Sequence, residues 1–333
     1  VSMPNTPTDP TADFRARAYD GDVAGASDAL KTAAPDAVFQ LAHPFNTLGT
    51  AEAFLDNALK PLAAAFPDLE RRDQLRLCGR TEKGVDWVGC AGAYFGTFTA
   101  PFLDIPPTRH LATLRYHEFF RIEDGKIAEY QAIWDFPHLM MQAGCWPLGP
   151  SLGVDWLPPA PASGDGLTPS GDGTAAMQIV ADMLDGLARH AEQGPEAMDL
   201  PRYWHPQMLW YGPAGIGTAR GIEGFRRWHQ IPYLDAFPDR RGRSFDKHLF
   251  AQGNYVGYTS WPGMEMSHTG GGWLGLPPGG KDLTMRSLDF WRVENGLIRE
   301  NWVLVDILDA AHQMGVDVLS RMREMTGQGP AAF

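Results

Sequence analysis

The stretch DGKIAEYQAIWD occupies residues 124–135, and a close counterpart, NGLIRENWVLVD, occupies residues 295–306. Both stretches open with a two-residue turn ending in Gly, continue with alternating apolar side chains and finish on aspartate. With the same spacing, residues 35–144 match residues 206–315 without a gap, and the identities fall at turns and at the same phase of each strand pattern. A match of this length indicates a tandem duplication of one domain.

Length and charge narrow the class of protein. The chain has 333 residues, enough for two domains of roughly 100–200 residues each. Its net charge is -12, with 40 acidic and 28 basic residues, and no Lys/Arg run exceeds two, which argues against nucleic-acid and acidic-membrane partners. No apolar stretch approaches the ~20 residues of a membrane span, and the N-terminus lacks the pattern of a signal peptide. We therefore expect a cytoplasmic protein.

The pattern of elements predicts two α+β domains. A Pro/Gly-rich segment divides the chain into a first domain (1–148), a linker (149–173) and a second domain (174–333). In each half helical periodicity comes first and is followed by two-residue periodicity, which favours a mostly antiparallel sheet over alternating βαβ units. Helices are predicted at 11–31, 51–65, 174–192 and 222–236, and strands at 37–41, 72–80, 84–99, 111–123, 126–135 and 208–211.

The aspartate that ends each repeated stretch is a candidate acid or base. In the strand 300–306, Glu300, Trp302, Leu304 and Asp306 share one face. A carboxyl held beside Trp and aliphatic groups has a raised pKa and can exchange a proton near neutral pH. Asp135 is its counterpart in the first half. The alternative is that both aspartates cap the helices that follow them, since Asp is a favoured N-cap residue.

A second candidate lies in PGMEMSHTGGGWLGLPPGGK, residues 262–281. Met264, Met266 and His268 alternate on one face there, and Thr97 is interpreted as the first-half equivalent of His268. The pKa of histidine suits proton transfer, although a strand histidine is more often structural.

Aromatic residues and arginines near these candidates could bind a flat apolar ligand. The alternative is that the aromatics fill the core of a curved sheet and the arginines are exposed. The predicted substrate-binding residues are Trp210, Tyr211, Trp261, Trp273, Arg286 and Trp302 around Asp306, and Trp87, Tyr94 and Arg115 around Asp135.

Motifs for other chemistries are incomplete. The loop GPAGIGTARG at 212–221 has the wrong glycine spacing for a dinucleotide site and no surrounding βαβ unit. HExxH is absent from the sequence, no GxSxG nucleophile elbow is predicted, and the three cysteines form no CxxC pair, so we predict no metal site and no disulfide framework.

Taken together, these motifs resemble the SnoaL-like polyketide cyclases, which belong to the superfamily named after nuclear transport factor two. The resemblance is carried by Phe-Pro-Asp at 66–68 and 237–239, His-Thr-Gly at 268–270, Leu-Pro-Pro at 276–278, the Gly turns at 125 and 296, and the terminal aspartates.

This resemblance implies two cone-shaped domains, each a strongly curved sheet wrapped around N-terminal helices, with a pocket at the open end. It also implies acid–base catalysis by Asp306 and Asp135, with His268 in the same pocket, on a small carbonyl substrate without cofactor or metal. The halves would pair as two subunits do, and a homodimer is a further expectation. A hydrolase or a dehydratase (lyase) using the same pocket, and a non-catalytic ligand-binding protein, remain the alternatives, because fold does not fix function.

Overall fold

The structure is a computed structural model that describes residues 9–188, 195–243 and 247–329. The outer ends of the predicted domains (1–8 and 330–333) and the end of the predicted helix 174–192 (189–192) lie outside the described residues. The first half contains α1 (Ala12–Tyr19), α2 (Val23–Leu30), β1 (Val38–Leu41), β2 (Asn46–Thr47), α3 (Ala51–Phe54), a π-helical turn (Leu55–Leu59), α4 (Lys60–Ala65), β3 (Glu70–Arg80), β4 (Asp86–Thr97), β5 (Leu111–Glu123), β6 (Lys126–Trp134) and α5 (Phe136–Gln142).

The second half repeats the general order, but it begins with one helix and two short elements in place of α1 and α2, and it adds a two-residue strand (Arg241–Gly242) and a final helix (Val318–Met325). It contains α6 (Thr174–Ala188), a 3-10 turn (Pro195–Met198), α7 (Leu200–Tyr203), β7 (Trp204–Tyr211), β8 (Ala219–Arg220), α8 (Gly221–Phe225), a π-helical turn (Arg226–Gln230), α9 (Ile231–Ala236), β9 (Arg241–Gly242), β10 (His248–Gln252), β11 (Tyr255–Ser267), β12 (Asp282–Glu294), β13 (Leu297–Val305), α10 (Ile307–Gln313) and α11 (Val318–Met325).

Each half forms one mixed sheet with helices against one face. The strand order is β2-β1-β6-β5-β4-β3 in the first half and β10-β11-β12-β13-β7-β8 in the second, where β9 also pairs with β11. The β1–β6 and β7–β13 pairs are parallel and the others antiparallel. The predicted α+β fold, with two mostly antiparallel sheets, is confirmed.

The repeated turns form the hairpins that the sequence predicts. Asp124 and Gly125 have φ values of 49° and 73°, and Asn295 and Gly296 have 51° and 79°. Two successive positive φ angles match the right-handed twist of antiparallel strands, and Asp, Asn and Gly adopt them at low cost.

Two predicted helices differ from a regular α-helix. The helix predicted at 11–31 breaks into α1 and α2 at Gly21, whose φ is 73°. The helix predicted at 51–65 is continuous but contains the π-helical turn Leu55–Leu59 just before Pro61. Proline has no N–H to donate to the preceding turn, so the helix widens there instead of kinking.

Strand pairing corrects the gapless register inferred from the sequence. Ser267 lies opposite Asp282, as Thr97 lies opposite Leu111, so Thr97 corresponds to Ser267 and not to His268. Thr97 and Ser267 also bond through N and Oγ to equivalent aspartates, Asp68 and Asp239. The physical cause is the shorter turn before β11, which moves the start of this strand out of the gapless register. The register shift between Ser260 and Met264 adds back only part of the difference.

The two sheets pack against each other through the faces that point away from their own helices. Phe119 and Phe290, which occupy matching positions of the repeat, face each other with ring centroids 4.9 Å apart. His117 contacts the carbonyl of Leu288 through Nδ1 at 2.6 Å. A Cβ added to Gly89 would lie 2.9 Å from the Phe290 ring, so glycine is required for the close approach. The halves are therefore related by an approximate two-fold axis near Phe119 and Phe290.

The interior of the first domain is filled by a buried ion-pair cluster. Arg71 Nη1 lies 2.5 Å from Glu118 Oε2, and Arg71 Nη2 lies 2.8 Å from Asp73 Oδ1. Tyr94 and Trp134 donate to the same Glu118 carboxylate at 3.3 Å and 3.1 Å. Because every donor here is a large side chain, the cluster occupies the space between the helices and the sheet.

We predict that Arg71→Met destabilises the protein strongly, because Glu118 would stay buried without its cation. The free energy of unfolding should fall by about 3–5 kcal/mol. The neighbouring Arg72→Met removes an exposed, solvent-screened pair with Glu70 and should cost much less. Urea denaturation followed by tryptophan fluorescence measures both, and similar losses for the two variants would contradict the prediction.

Candidate active site

The second domain encloses a cavity of about 340 Å³ between its helices and its sheet. A cavity of this size lies at the lower end of the range for small-molecule sites. Apolar side chains dominate its wall, with exposed Asp185 and half-buried Lys247 at the edge. The wall consists of Met183, Leu184, Asp185, Leu187, Met198, Trp204, Trp210, Pro213, Ile216, Phe225, His229, Gln230, Tyr233, Leu234, Arg240, Gly242, Arg243, Lys247, Tyr258, Gly263, Met264, Met285, Ser287, Asp289, Trp291, Asn301, Val303 and Val305.

The cavity exists because small residues replace the large ones of the first domain. Gly242 lies opposite Met264 as Arg71 lies opposite Tyr94, so glycine takes the place of the buried arginine. By the same comparison of strand pairs, Ser287 and Val305 stand where the first domain has Tyr116 and Trp134. Replacing Arg, Tyr and Trp by Gly, Ser and Val vacates the volume that a ligand can occupy.

Asp289 is the carboxyl that faces this cavity. It matches Glu118 of the first domain, but Arg71, Tyr94 and Trp134 have no equivalent donors around it. Ser287 Oγ donates to Asp289 Oδ1 at 2.8 Å. Asp289 keeps some accessible surface, but that surface opens on the apolar cavity. Burial therefore raises the pKa of Asp289 to about 7, and the Ser287 hydrogen bond offsets this only in part.

His229 lies in the same cavity wall. Its ring stacks on Trp210 with centroids 4.0 Å apart, and it also packs against Phe225 and Tyr233. Burial, together with the smaller effect of the nearby Arg240 charge, lowers the pKa of His229 to about 3. His229 is therefore a neutral imidazole at physiological pH, able to donate or accept one hydrogen bond at each ring nitrogen according to its tautomer.

Several buried polar atoms of the wall have no hydrogen-bond partner among the described residues. They are Trp204 Nε1, His229 Nδ1, Gln230 Oε1, Arg240 Nε, Arg243 Nε and Trp291 Nε1. Buried polar groups are otherwise almost always paired, so their concentration here indicates a site built to bind a polar part of a ligand.

Comparison with known proteins identifies the family. The family model for SnoaL-like polyketide cyclase matches residues 16–143 and 183–314. The chain belongs to the SnoaL-like polyketide cyclase family. Both halves match, which confirms the duplication inferred from the sequence. No curated protein gives a significant match.

Each of three solved structures aligns with less than half of this chain, which is about the length of one domain. AclR from Streptomyces galilaeus is 20% identical, with 42% of this chain and 86% of that chain covered and a TM-score of 0.35. IdmH from Streptomyces antibioticus is 24% identical, with 40% and 96% covered and a TM-score of 0.32. A SnoaL-like protein from Jannaschia sp. CCS1 is 21% identical, with 43% and 96% covered and a TM-score of 0.35.

In this SnoaL-like chain Asp306 and Asp135 lie at the domain interface and outside the described cavity wall. Asp306 accepts from Asp309 N at 3.1 Å, which caps α10, and from His43 N of the other domain at 2.9 Å. Asp135 does the same, capping α5 and accepting from Ala214 N of the second domain at 3.2 Å. The helix-cap alternative therefore describes the hydrogen bonds of both aspartates.

The pKa of Asp306 is nevertheless raised. Burial raises it to about 6, against the opposing charge of Arg286, whose Nη1 lies 3.2 Å from Asp306 Oδ2. Arg286 also donates to Asn46 of the first domain, and Arg115 donates to the carbonyls of Tyr211, Gly212 and Val303 in the second. Neither arginine belongs to the described cavity wall, and the other domain covers their side of the strands.

His268 is placed in the core and does not meet Asp306 in the cavity. It takes the place of Phe98: His268 N bonds to Lys281 O and Phe98 N to His110 O, in matching loops. The His268 ring packs 5.2 Å from Phe237, and its Nε2 donates to Gly271 O at 2.9 Å. His268 thus has a packed ring and a hydrogen-bonded Nε2, as a structural core residue does.

Of the predicted aromatic residues, only Trp210 belongs to the described cavity wall. Tyr211 and Trp302 contact each other on the opposite face of the sheet, and Trp261 lies under the Arg286 guanidinium. Trp273 packs on Phe237. The first-domain residues Trp87 and Tyr94 are fully buried core residues, which agrees with the alternative that aromatics fill the core.

Asp289, His229 and Arg240 were missed by the sequence analysis. Asp289 sits within the apolar stretch SLDFWRV and coincides with an acid, Glu118, in the other half, a signal that could have marked it. Among the described residues, no group of three His, Cys, Asp or Glu side chains is arranged to hold a metal ion. Within the same residues, no helix has the length and apolar character to span a membrane.

We predict that Asp289→Asn changes how stability depends on pH. The wild-type carboxyl has a pKa of about 7 when folded against 3.8 as a free group, so its proton stabilises the folded state. That contribution is complete below pH ~3.8 and is lost as the pH rises through about 7. Relative to wild type, Asp289→Asn should gain at most about 4 kcal/mol in free energy of unfolding between pH 4 and pH 8.

Urea titrations at the two pH values measure this change, with the exposed Glu223→Gln as the control for the loss of one negative charge. A difference between Asp289→Asn and wild type that stays constant with pH would contradict the raised pKa.

Proposed function

We propose that the second domain catalyses a cyclase- or isomerase-type reaction on a small apolar carbonyl compound, with Asp289 as the general acid and base. The observation that supports this proposal is a carboxyl with a pKa near 7 facing an apolar cavity. A group whose pKa lies near the working pH is present in both protonation states and transfers protons efficiently in both directions.

In the proposed mechanism the ionised Asp289 removes a proton from the carbon next to the substrate carbonyl. The electron pair of the broken C–H bond delocalises onto the carbonyl oxygen as an enolate. In an isomerase the protonated Asp289 returns the proton to a different atom. In a cyclase the enolate carbon attacks a second carbonyl of the same molecule, a C–C bond forms, and the new alkoxide takes the proton.

The remaining cavity groups would assist this chemistry. The aromatic and methionine side chains hold an apolar substrate and exclude water. A positioned acid–base group typically contributes 10²- to 10⁴-fold, and the rest would come from holding the substrate in a reactive conformation.

The first domain is proposed to be a partner domain without turnover of its own. Glu118, the counterpart of Asp289, is held by Arg71, Tyr94 and Trp134, and these side chains occupy the space that a substrate would need. Asp306, Asp135 and His268 are assigned to the interface and the core in place of the catalytic roles expected from the family resemblance.

We predict that the protein accelerates exchange of the α-hydrogens of 2-tetralone in D₂O, a probe of proton abstraction that does not require the natural substrate. Asp289→Asn should lower the exchange rate constant by about 10²- to 10⁴-fold, because the base is lost. Proton NMR measures the exchange.

Asp306→Asn is the matched control, since this buried aspartate lies outside the cavity and should keep exchange within about threefold of wild type. It should lower thermal stability, because an amide nitrogen in place of Oδ2 cannot accept the hydrogen bonds from His43 N and Arg286. Loss of exchange in Asp306→Asn but not in Asp289→Asn would identify Asp306, at the domain interface, as the catalytic base. No exchange with any variant would favour a non-catalytic ligand-binding role.

We further predict that the exchange rate constant increases with pH and levels off above an apparent pKa of about 7, since only ionised Asp289 acts as a base. Exchange rate constants measured by proton NMR at pH values from 5 to 9 give this profile. A midpoint near pH 4 would exclude a desolvated carboxyl as the base.

A further inference from the structure

Arg240 is a cation in the cavity wall without a carboxylate partner in the described part of the chain. Its guanidinium is half-buried, 5.8 Å from the centroid of the Tyr233 ring. Its Nη1 has only the Met264 sulfur at 3.6 Å, and its Nε is buried without a partner. A thioether is a weak acceptor, so the guanidinium, which carries five N–H donors, is poorly satisfied.

The other cations around the cavity are paired. Arg243 lies 3.3 Å from Glu265, Arg226 lies 3.2 Å from Glu196, and Lys247 lies 3.9 Å from Asp185. Leaving a half-buried cation unpaired is unfavourable because it loses hydration without gaining a counter-charge. Arg240 therefore differs from its neighbours in having its charge available to a ligand.

Arg240 and Asp289 lie apart along the cavity wall. Arg240 contacts Met264, which pairs with Met285 on β12, whereas Asp289 is four residues further along the same strand. At about 3.3 Å per residue, these positions are separated by roughly 13 Å along the strand. The two positions also differ in chemistry, with an arginine near neutral His229 at one and a carboxyl beside Ser287 at the other.

We propose that Arg240 binds a carboxylate of the substrate, so that the site accepts a flat apolar carbonyl compound whose anionic group lies at the end away from the reacting carbon. The planar guanidinium matches a carboxylate with two parallel hydrogen bonds, and the Trp210, His229 and Tyr233 rings supply flat apolar contact. This deepens the proposed function, because the reacting end is defined by Asp289.

The test uses two probes that differ only in charge: 6-acetyl-2-naphthoate and 6-acetyl-2-naphthamide. Calorimetric titration of the full chain at pH 8 measures their affinities. Wild type should bind the acid at least 10-fold more tightly than the amide. Arg240→Gln should lose at least 10-fold affinity for the acid and less than threefold for the amide, and Arg240→Lys should recover part of the loss.

Arg243→Gln is the matched control, because Arg243 is already paired with Glu265, and it should change acid affinity less than threefold. Equal binding of acid and amide by wild type, no binding of the acid, or equal losses of both probes in Arg240→Gln would overturn the proposal. Asp289→Asn should bind the acid at least as well as wild type while losing exchange activity, so a failure of catalysis is distinguishable from a failure of carboxylate recognition.

Discussion

The pairing of the two sheets determines which side chains can reach a ligand. Side chains alternate along a strand, so the phase that meets the other domain cannot also face the interior of its own domain. Phe119 and Phe290 meet across the interface with ring centroids 4.9 Å apart, and Trp302 and Asp306 lie on that same outer face. The opposite phase, including Asn301, is left to form the cavity wall.

The duplication places a carboxyl at the same position of both domains, but in two different environments. Glu118 is surrounded by an arginine, a tyrosine and a tryptophan that donate to it, and it serves as the centre of a packed polar core. Asp289 occupies the matching position with Ser287 as its donor and apolar space beside it, so burial acts on its pKa largely without compensation. Each unit of such a shift corresponds to about 1.4 kcal/mol of difference between the protonation states. The raised pKa of Asp289 thus follows from the absence of the arginine, tyrosine and tryptophan donors that surround Glu118.

Local signals made much of this fold predictable. The repeat, the Asp-Gly and Asn-Gly hairpins and the succession of helices before strands depend on neighbouring residues, and the structure has them where the sequence predicts. The inward face was not predictable, because alternation gives the phase of a strand and not its direction. The register around His268 was hidden for a different reason. The turn from Gln252 to Tyr255 is shorter than that from Arg80 to Asp86, and the irregularity in β11 adds back only part of the difference, although the overall spacing of the repeat is unchanged.

Joining the two domains in one chain has a consequence for how such a protein can change. In an assembly of two identical subunits, every substitution is made twice, so an interior packed with arginine and tryptophan would close both sites at once. A single chain carries two separate copies of each position, and Arg71 and Gly242 can differ without conflict. One copy can then hold a densely packed polar interior while the other keeps an open cavity, as the two domains of this chain do.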